Sequence, residues 1–538
     1  MADNARSNPT VAWQRLVAAA VIGSERAGRA LPPVEGGAGR FIEKATSLNS
    51  EEGMLHAAAL LSVYERAGRR APERAAGAGG ACPPAVAGHP QDQPACSQRA
   101  GWHLSRILGG DHRSLLDEWC CAAAKAGVRA PDELMPRLLD EFVATKTDSE
   151  RTAIAGVLGK RGRWLAASNP DWHSSMAPED DPSAVWESGT RDQRLDLLRR
   201  LRASDPARGR ELVMTTWEQD PPDDRAAFVD LFVEGLSIDD EPFLESVLDD
   251  NRKAVRTSAA ETLARLPSSG LCRRMAERLA PLLSFKPARR GLLRSGKPSL
   301  DVALPESCDR AMARDGLQAT SRTKLGAKAN LLYQMLAASP LSAWSERWNV
   351  LVDQILDAAV GCEWKDVCVQ GWALAAVRQR EAAWAEAILR TGYFSKVSDT
   401  PLVVGLMETI RGLLSCLSPP TREAIIAEIL KDKPFPLHSH PVMHFLTAGH
   451  WPWSTEFSRA VLDVLRRHFQ KHSEGYDGGL PRTVAAQFSK CIDPSLAQEA
   501  ATGWPVDGPR WAPSHAEMVD TLTSVLQFRR DFLLELKP

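Results

Sequence analysis

Apolar residues recur at intervals of three and four along the stretch from Asp239 to Leu283, and this spacing predicts two short helices and the start of a third. Asp239 is predicted to cap the first helix, with Pro242 in the opening turn, where a missing N–H costs little. The apolar stripes comprise Phe243, Leu244, Val247 and Leu248 in the first helix and Val255, Ala259, Leu263 and Leu266 in the second. Such short helices are unstable alone, so we expect them to stack on their neighbours.

Similar helical segments are predicted on both sides of this stretch. Helix pairs recur about every 35–45 residues, which is typical of HEAT-like and armadillo-like arrays. The chain shows no alternation of apolar and polar residues that would predict a strand hairpin. We therefore expect an all-α fold, a HEAT/armadillo-like helical-repeat solenoid with a long flexible insertion.

Changes in composition divide the chain into five predicted parts. Residues 1–68 form an N-terminal helical segment, and residues 69–101 form a flexible insertion rich in Ala, Gly and Pro. Residues 102–285 are expected to form HEAT-like helical repeats. A basic irregular linker, residues 286–320, then leads to the C-terminal helical repeats of residues 321–538.

Composition excludes some general roles. The 538 residues carry a net charge of −2, so the chain as a whole has no attraction for nucleic acid or acidic membranes. The sequence contains no run of about 18 apolar residues, and we expect a cytoplasmic protein. Its 10 cysteines are scattered, which suits free and mostly buried thiols in a reducing compartment.

The first candidate site contains Lys160, Arg161, Arg163 and Trp164, in and just after a predicted turn bounded by two glycines. Backbone N–H groups of such a turn, together with guanidinium groups, are able to hold a phosphate or a carboxylate. The segment lacks the G-x-x-x-x-G-K-[ST] order of a nucleotide-binding P-loop. The alternative is a helix C-terminus whose basic residues face the negative end of the helix dipole.

The second candidate is the basic stretch from Arg273 to Lys297, which carries eight cationic residues against one acid, Glu277. Such a patch is able to neutralise several phosphates or to dock an acidic partner. A solvated loop between repeats is the alternative. The candidate binding residues are Arg273, Arg274, Arg289, Arg290 and Arg294.

Neither metal nor cofactor is predicted. His438, His440 and His444 are clustered among prolines, but the cluster lacks the H-E-x-x-H order of a zinc site. The cysteines also lack the C-x-x-C spacing that lets two thiolates bind one zinc ion. A polar loop between repeats is the favoured interpretation of the histidines.

The chain contains 16 tryptophans, and some of them share helical faces. Trp344 and Trp348 are one turn apart, and Trp364 and Trp372 are two turns apart. Indoles on a concave surface would be strong anchors for a protein partner. The alternative, which we favour, is that they are core residues between helices.

Several motifs resemble an uncharacterised bacterial family of about this length. They are Trp13-x-x-Leu16-Val17 with Ala20, Gly23-x-Glu25-Arg26, the block GKRGRWLAASNPDW from Gly159, Trp186-x-x-Gly189 with Arg194, and the stretch from Asp239 to Met275. Members of that family are helical. They are often encoded beside a SWIM zinc-finger protein, a MoxR-type AAA+ ATPase and a von Willebrand factor A protein. The resemblance therefore implies a partner system rather than a reaction.

These observations favour a non-enzymatic scaffold or adaptor that binds another protein. By the resemblance, the partner is an AAA+ ATPase or a von Willebrand A protein. A nucleic-acid-binding protein, including a DNA base-excision enzyme, is the first alternative, because some helical-repeat folds bind DNA through basic patches. A zinc metalloenzyme is the second alternative.

Overall fold

The computed structural model describes residues 13, 16–18, 20–21, 42, 50–68, 92–145, 147–169, 171–172, 182–288, 297–318, 320, 325–396, 405–431, 442–449, 451–471, 479–506 and 513–537. The described residues are mainly helical, so the predicted all-α class is confirmed. The finer HEAT/armadillo-like assignment stays a prediction. The chain divides into two compact units, residues 1–89 and 90–538.

The first unit contains helix α1 (Ser50–Gly68), which begins with Glu51 and Glu52. Acidic residues in a first turn face the positive end of the helix dipole and stabilise it. Ala57 and Leu61 of this helix are buried together with Leu16 and Ile42.

The helices of the second unit follow one another along the chain. Before the strands they are α2 (Gln98–Leu108), α3 (Leu116–Lys125), α4 (Met135–Ala144), α5 (Asp148–Ala167), α6 (Pro182–Ser188), α7 (Arg191–Ser204), α8 (Pro206–Thr216), α9 (Pro222–Leu231), α10 (Glu241–Val247), α11 (Lys253–Leu263) and α12 (Gly270–Leu279). Two strands follow, β1 (Leu283–Lys286) and β2 (Ser299–Val302).

After the strands the helices are α13 (Arg310–Arg314), α14 (Ala327–Ala338), α15 (Ser342–Trp348), α16 (Val352–Val360), α17 (Lys365–Gln379), α18 (Ala382–Arg390), α19 (Tyr393–Lys396), α20 (Leu406–Ser415), α21 (Pro419–Lys431), α22 (Val442–Leu446), α23 (Thr455–Lys471), α24 (Leu480–Thr483), α25 (Ser489–Cys491), α26 (Ala497–Ala500) and α27 (Pro513–Glu535). A π-helix, Val484–Phe488, joins α24 to α25.

The start of α10 differs from the predicted cap at Asp239. A 3₁₀ turn, Ile238–Asp240, precedes the helix, and the N–H of Ser237 donates to the Asp240 carboxylate at 3.1 Å. Asp240 is fully buried and pairs with Arg202 on α7 at 2.7 Å. The local pattern could not show this partner, because it lies 38 residues away.

The first core of the second unit is one hydrophobic cluster that runs from Trp186 to Leu526. Its helices pack mainly against near neighbours in sequence. Examples are the pairs α7 and α9, α9 and α11, α12 and α14, α14 and α17, and α17 and α20. Stacking of this kind buries apolar stripes that no single helix could bury alone.

The second core joins opposite ends of the second unit. Apolar residues of α2 to α5 pack against Val525, Phe528 and Phe532 of α27. Within the predicted block 102–285, residues up to Trp172 contribute to this core and residues from Val185 contribute to the first, while the predicted boundaries stay a prediction. Helical periodicity identifies an apolar face without identifying the helix that covers it.

The two strands form an antiparallel pair that spans the predicted boundary at 285/286, with β2 inside the region predicted as an irregular linker. Leu283 and Leu300 are buried, and Phe285 stacks on Trp348 at a centroid distance of 5.6 Å. The prediction that no strands occur was wrong here. Each strand has only four residues, which is too short for a clear alternating pattern.

None of the helices that the structure describes is long and apolar enough to cross a membrane.

Candidate functional site

A cavity of about 200 Å³ opens between helices α11, α12, α14 and α17. Leu271, Met275 and Leu317 form part of its apolar wall, while Glu261 and Arg378 lie on its polar side. These residues come from separate segments of the chain, so helix packing creates the cavity.

Two glycines allow the segments around the cavity to approach closely. Gly316 has a φ of +84°, and a Cβ there would lie 2.6 Å from the Cβ of Ala260. A Cβ at Gly371 would lie 2.7 Å from the Cβ of Leu336, where α17 crosses α14. A larger residue at either position would move these segments apart and disturb the packing around the cavity.

One wall of the cavity is a hydrogen-bonded polar network. The N–H of Gln318 donates to Gln334 Oε1 at 3.0 Å, and Gln334 Nε2 donates back to the Gln318 carbonyl at 2.8 Å. Asn330 Nδ2 donates to the same carbonyl at 2.8 Å, and Gln318 Nε2 donates to Thr257 Oγ1 at 3.3 Å. Mutually satisfied groups of this kind rigidify a wall before any ligand binds.

Asp315 lines the cavity, but its charge is balanced within the chain. Arg274 Nη2 lies 2.8 Å from Asp315 Oδ1, and Arg278 Nη2 lies 2.7 Å from Oδ2. Arg274 also pairs with Glu245 at 3.0 Å. Arg274, selected from the sequence as a binding residue, is therefore in contact with two internal carboxylates.

Arg378 provides the cationic group of the cavity. Its side chain is 16% exposed, Nη1 donates to the Ala337 carbonyl at 3.0 Å, and Nη2 lies 4.0 Å from Glu261 Oε1. Burial lowers the pKa of Arg378, Glu261 opposes this shift and Arg265 adds to it. Glu261 is itself 61% exposed, so its pairing with Arg378 at 4.0 Å is weak.

Arg265 contributes further positive potential near Arg378. Burial lowers the pKa of Arg265, Glu261 opposes this, and repulsion from Arg380 adds to it. Two guanidinium groups, those of Arg265 and Arg378, therefore act on the exposed carboxylate of Glu261. Across the cavity, burial raises the pKa of Tyr333, and Arg378 opposes that shift. The cavity thus combines apolar walls with positive potential, which suits an anionic group on an apolar stem.

The predicted anion nest at Gly159 exists, but the chain fills it. Gly159 has a φ of +59° and interrupts α5. The N–H groups of Lys160 and Arg161 then donate to the two oxygens of Asp92, at 2.8 and 3.2 Å. Arg129 Nε lies 3.7 Å from the same carboxylate. An internal carboxylate thus takes the place of the external anion that the turn suggested.

Asp92 also shows where the predicted insertion 69–101 ends. Residues 69–91 lie outside the described residues. From Asp92 onward the chain contacts the second core, and α2 already begins at Gln98, capped by the Ser97 hydroxyl. The composition of this segment is poor in large apolar residues, and so it did not reveal the contact.

The remaining residues of the first candidate site lie at the surface. Arg161 Nη1 is 3.1 Å from Asp132 Oδ2. Arg163 is exposed, and Trp164 is 44% exposed. The expected turn at 159–162 continues instead as the second half of α5, since only Gly159 has non-helical angles there.

The other predicted sites are only partly described. Arg273 is exposed on α12. Arg289, Arg290 and Arg294 lie outside the described residues, as do His438 and His440, while His444 is exposed on α22. Among the described residues, no group of three His, Cys, Asp or Glu side chains could hold a metal ion.

The tryptophans described here pack mainly inside the first core. Trp344 contacts Trp348 at a centroid distance of 5.2 Å and Trp372 at 6.3 Å, and Trp372 contacts Trp384 at 5.6 Å. Trp344 and Trp372 are fully buried. The core interpretation of these indoles is therefore confirmed.

Comparison with known proteins gives a family without a known activity. A family model described as "Family of unknown function (DUF5691)" matches residues 15–536. The chain belongs to this family. No curated protein and no solved structure matches it. The sequence resemblance to an uncharacterised family is confirmed to that extent, and the gene neighbours that it implies stay a prediction.

The cavity of this DUF5691 protein was missed from the sequence. Arg378 looks like an ordinary basic residue in the last turn of a helix. A signal was nevertheless present, since Arg378 follows Gly371 and Leu374 at spacings of seven and four, on the face that packs against α14. A cation on a buried face requires a partner, and this could have marked the position.

Proposed function

We propose that this chain is a non-enzymatic adaptor, built as a HEAT-like helical array, that binds a partner protein through the cavity between α11 and α17. The observation that carries the proposal is Arg378. It is a largely buried guanidinium group with a weak internal pairing, placed beside apolar walls.

The size of the cavity favours a side chain over a small-molecule cofactor. Its volume of about 200 Å³ is below the range of about 300–1,000 Å³ that small-molecule sites occupy. A single apolar residue with a neighbouring carboxylate matches both the volume and the charge. The occupant is therefore a partner segment in which an apolar residue stands next to an acidic one.

The rigid wall supports binding without rearrangement. Gln318, Asn330 and Gln334 already satisfy one another, so little conformational entropy is lost when a ligand arrives. By the resemblance of the sequence, the partner is the MoxR-type AAA+ ATPase or the von Willebrand A protein of the same genome.

The test is a calorimetric titration of the full chain with each purified partner candidate, with ATP present for the ATPase. Arg378→Met should weaken binding at least tenfold, because a hydrogen bond to a charged group contributes about 1.5–3 kcal/mol. Arg378→Lys should be intermediate, because it keeps the charge and loses the planar fork. Arg163→Met, on the exposed face of α5, is the matched control and should bind like the wild type.

Hydrogen exchange, measured on the same proteins with and without the partner, locates the interface. Binding should slow exchange in residues 253–263 and 365–379, which flank the cavity. Equal affinity of the Arg378→Met variant and the wild type, with no protection in these segments, would show that the cavity is not the docking site.

Ion pairs in the described part of the basic stretch support a protein partner over nucleic acid. A nucleic-acid surface needs several exposed cations to contact successive phosphates. In the predicted basic stretch, Arg274 and Arg278 pair with Asp315, and Lys286 pairs with Asp301. Duplex DNA should therefore compete poorly for the partner, and salt-sensitive DNA binding that is stronger than partner binding would favour the alternative function.

A further inference from the structure

The guanidinium group of Arg422, on α21, is enclosed without a counter-charge. Arg422 is only 8% exposed, and no residue that the structure describes accepts a hydrogen bond from its Nε–H. The adjacent acid, Glu423, is engaged elsewhere, because its carboxylate accepts the N–H of Ser454 at 2.7 Å and also the Ser454 hydroxyl. Charged side chains are rarely buried unless they are paired. The position of Arg422 therefore calls for a negative partner.

The indole of Trp451 covers this guanidinium group. Arg422 Cζ lies 4.2 Å from the centroid of the Trp451 ring, which is within cation–π distance. Gly449 makes room for the indole, since a Cβ there would lie 1.8 Å from Trp451 Cζ3. The indole Nε1 is itself buried, and no acceptor for its hydrogen is found among the described residues. Two side chains in contact thus each hold an enclosed N–H donor, and such donors destabilise the fold until an acceptor reaches them.

The start of α21 adds positive potential beside Arg422. The helix has 13 residues, and Ser418 lies at its start, where its carbonyl accepts the Arg422 N–H at 3.0 Å and its hydroxyl accepts the Thr421 N–H at 3.4 Å. The positive end of the helix dipole lies here, so a cation in this turn is unfavourable by itself. Burial lowers the pKa of Arg422, and Glu423 opposes the shift. An anion beside Arg422 would relieve both effects.

We propose that Arg422 and Trp451 form a binding site for a small carboxylate. The planar guanidinium group matches the two oxygens of a carboxylate. One cation balances one negative charge, whereas a doubly charged phosphate would keep a charge without a counter-ion. Arg422 exposes too little surface for a large ligand, so formate is the suitable probe. Neither residue lines the cavity at Arg378, so this proposal and the proposed function stand or fail separately.

The indole N–H resonance of Trp451 provides the readout. The full chain, isotope-labelled at its 16 tryptophans, is titrated with sodium formate at constant ionic strength, with sodium chloride as the balancing salt. We expect the Trp451 signal, identified with Trp451→Phe, to shift with half-saturation at about 1–10 mM formate. Trp372 is the internal control, because its N–H also lacks an acceptor among the described residues, but its ring packs on Trp344 and Trp384. Its signal should not move.

Variants of Arg422 test whether this side chain holds the anion. Arg422→Met should weaken formate binding at least tenfold, because it removes the charged donors. Arg422→Lys keeps the charge and loses the planar fork, so it should bind with intermediate affinity. Arg467→Met, on the exposed face of α23, is the matched control and should bind like the wild type.

Thermal unfolding gives a second measurement that needs no variant. Formate should raise the midpoint of the wild type and of Arg467→Met, but not that of Arg422→Met. The absence of both a Trp451 shift and a rise in midpoint in the wild type would overturn the proposal. Equal formate binding by Arg422→Met, an equal shift at Trp372, or tighter binding of inorganic phosphate than of formate would also overturn it.

Discussion

Replacing Asp92 by alanine tests whether the turn at Gly159 is an anion nest that the chain fills itself. The Asp92 carboxylate accepts N–H groups from Lys160 and Arg161 and lies beside Arg129. Loss of a side-chain cap costs about 0.5–2 kcal/mol. The charge-assisted contacts raise the expected loss in the free energy of unfolding to about 2–3 kcal/mol. Arg129 keeps its contact with Asp132 at 2.6 Å, and this limits the loss.

Asp92→Asn should lower the free energy of unfolding by only about 1 kcal/mol, since the neutral amide oxygen still accepts one of the two N–H groups. The difference in the free energy of unfolding between the wild type and Asp92→Asn also depends on pH. Burial raises the pKa of Asp92, but the backbone N–H groups and Arg129 lower it further, so its folded pKa lies below its unfolded value. The stabilisation by the carboxylate is therefore complete above about pH 4 and is lost as the pH falls through the folded pKa.

The assay is urea unfolding at pH 7, monitored by tryptophan fluorescence, with and without acetate. The control is Glu428→Ala, which removes an exposed partner of Arg390 and should cost about 0–1 kcal/mol. Acetate should occupy the vacated nest and raise the midpoint of Asp92→Ala more than that of the wild type. A variant as stable as Glu428→Ala, or equal shifts with acetate in both proteins, would refute the interpretation of this turn.

Two further substitutions probe buried ion pairs. Asp240→Asn leaves the Arg202 guanidinium buried without its counter-charge. We therefore expect urea unfolding to show a free energy of unfolding that is lower by about 3–5 kcal/mol. A decrease as small as that of Glu428→Ala would contradict this. Arg529→Met removes the contacts of α27 with Glu118, at 2.7 and 2.8 Å, and with two backbone carbonyls. This substitution should lower the free energy of unfolding by about 3 kcal/mol and speed hydrogen exchange in residues 98–125. Unchanged exchange in these residues would show that the contact does not hold the second core together.

The sequence predicted best what depends on neighbouring residues. In α11, Val255, Ala259 and Leu263 are all buried, as their spacing of four indicated. The glycine at 159 also produces the change of direction that its position suggested. Both features follow from backbone geometry and from the helical period, which a short window of sequence contains.

Features that depend on distant residues were not predictable. The nest at Gly159 is visible in the sequence, but its ligand Asp92 lies 68 residues before Lys160, in a segment with the composition of a linker. Arg274 looked like a free cation, yet its partner Asp315 lies 41 residues later. A charge pattern identifies which residues are ionised without showing how folding pairs them. The cavity at Arg378 was missed for the same reason, since its walls come from four helices.

Helix α27 contributes residues to both cores, and this has a consequence for synthesis of the chain on the ribosome. Glu118 and its partner Arg529 are separated by 411 residues. At about 5–20 residues per second, translation of that interval takes about 20–80 s. During this time the apolar surface of α2 to α5 lacks the C-terminal residues that will cover it. The nascent chain therefore exposes the apolar surface of α2 to α5 for most of its elongation. We expect a chaperone that binds the nascent chain to act on this segment.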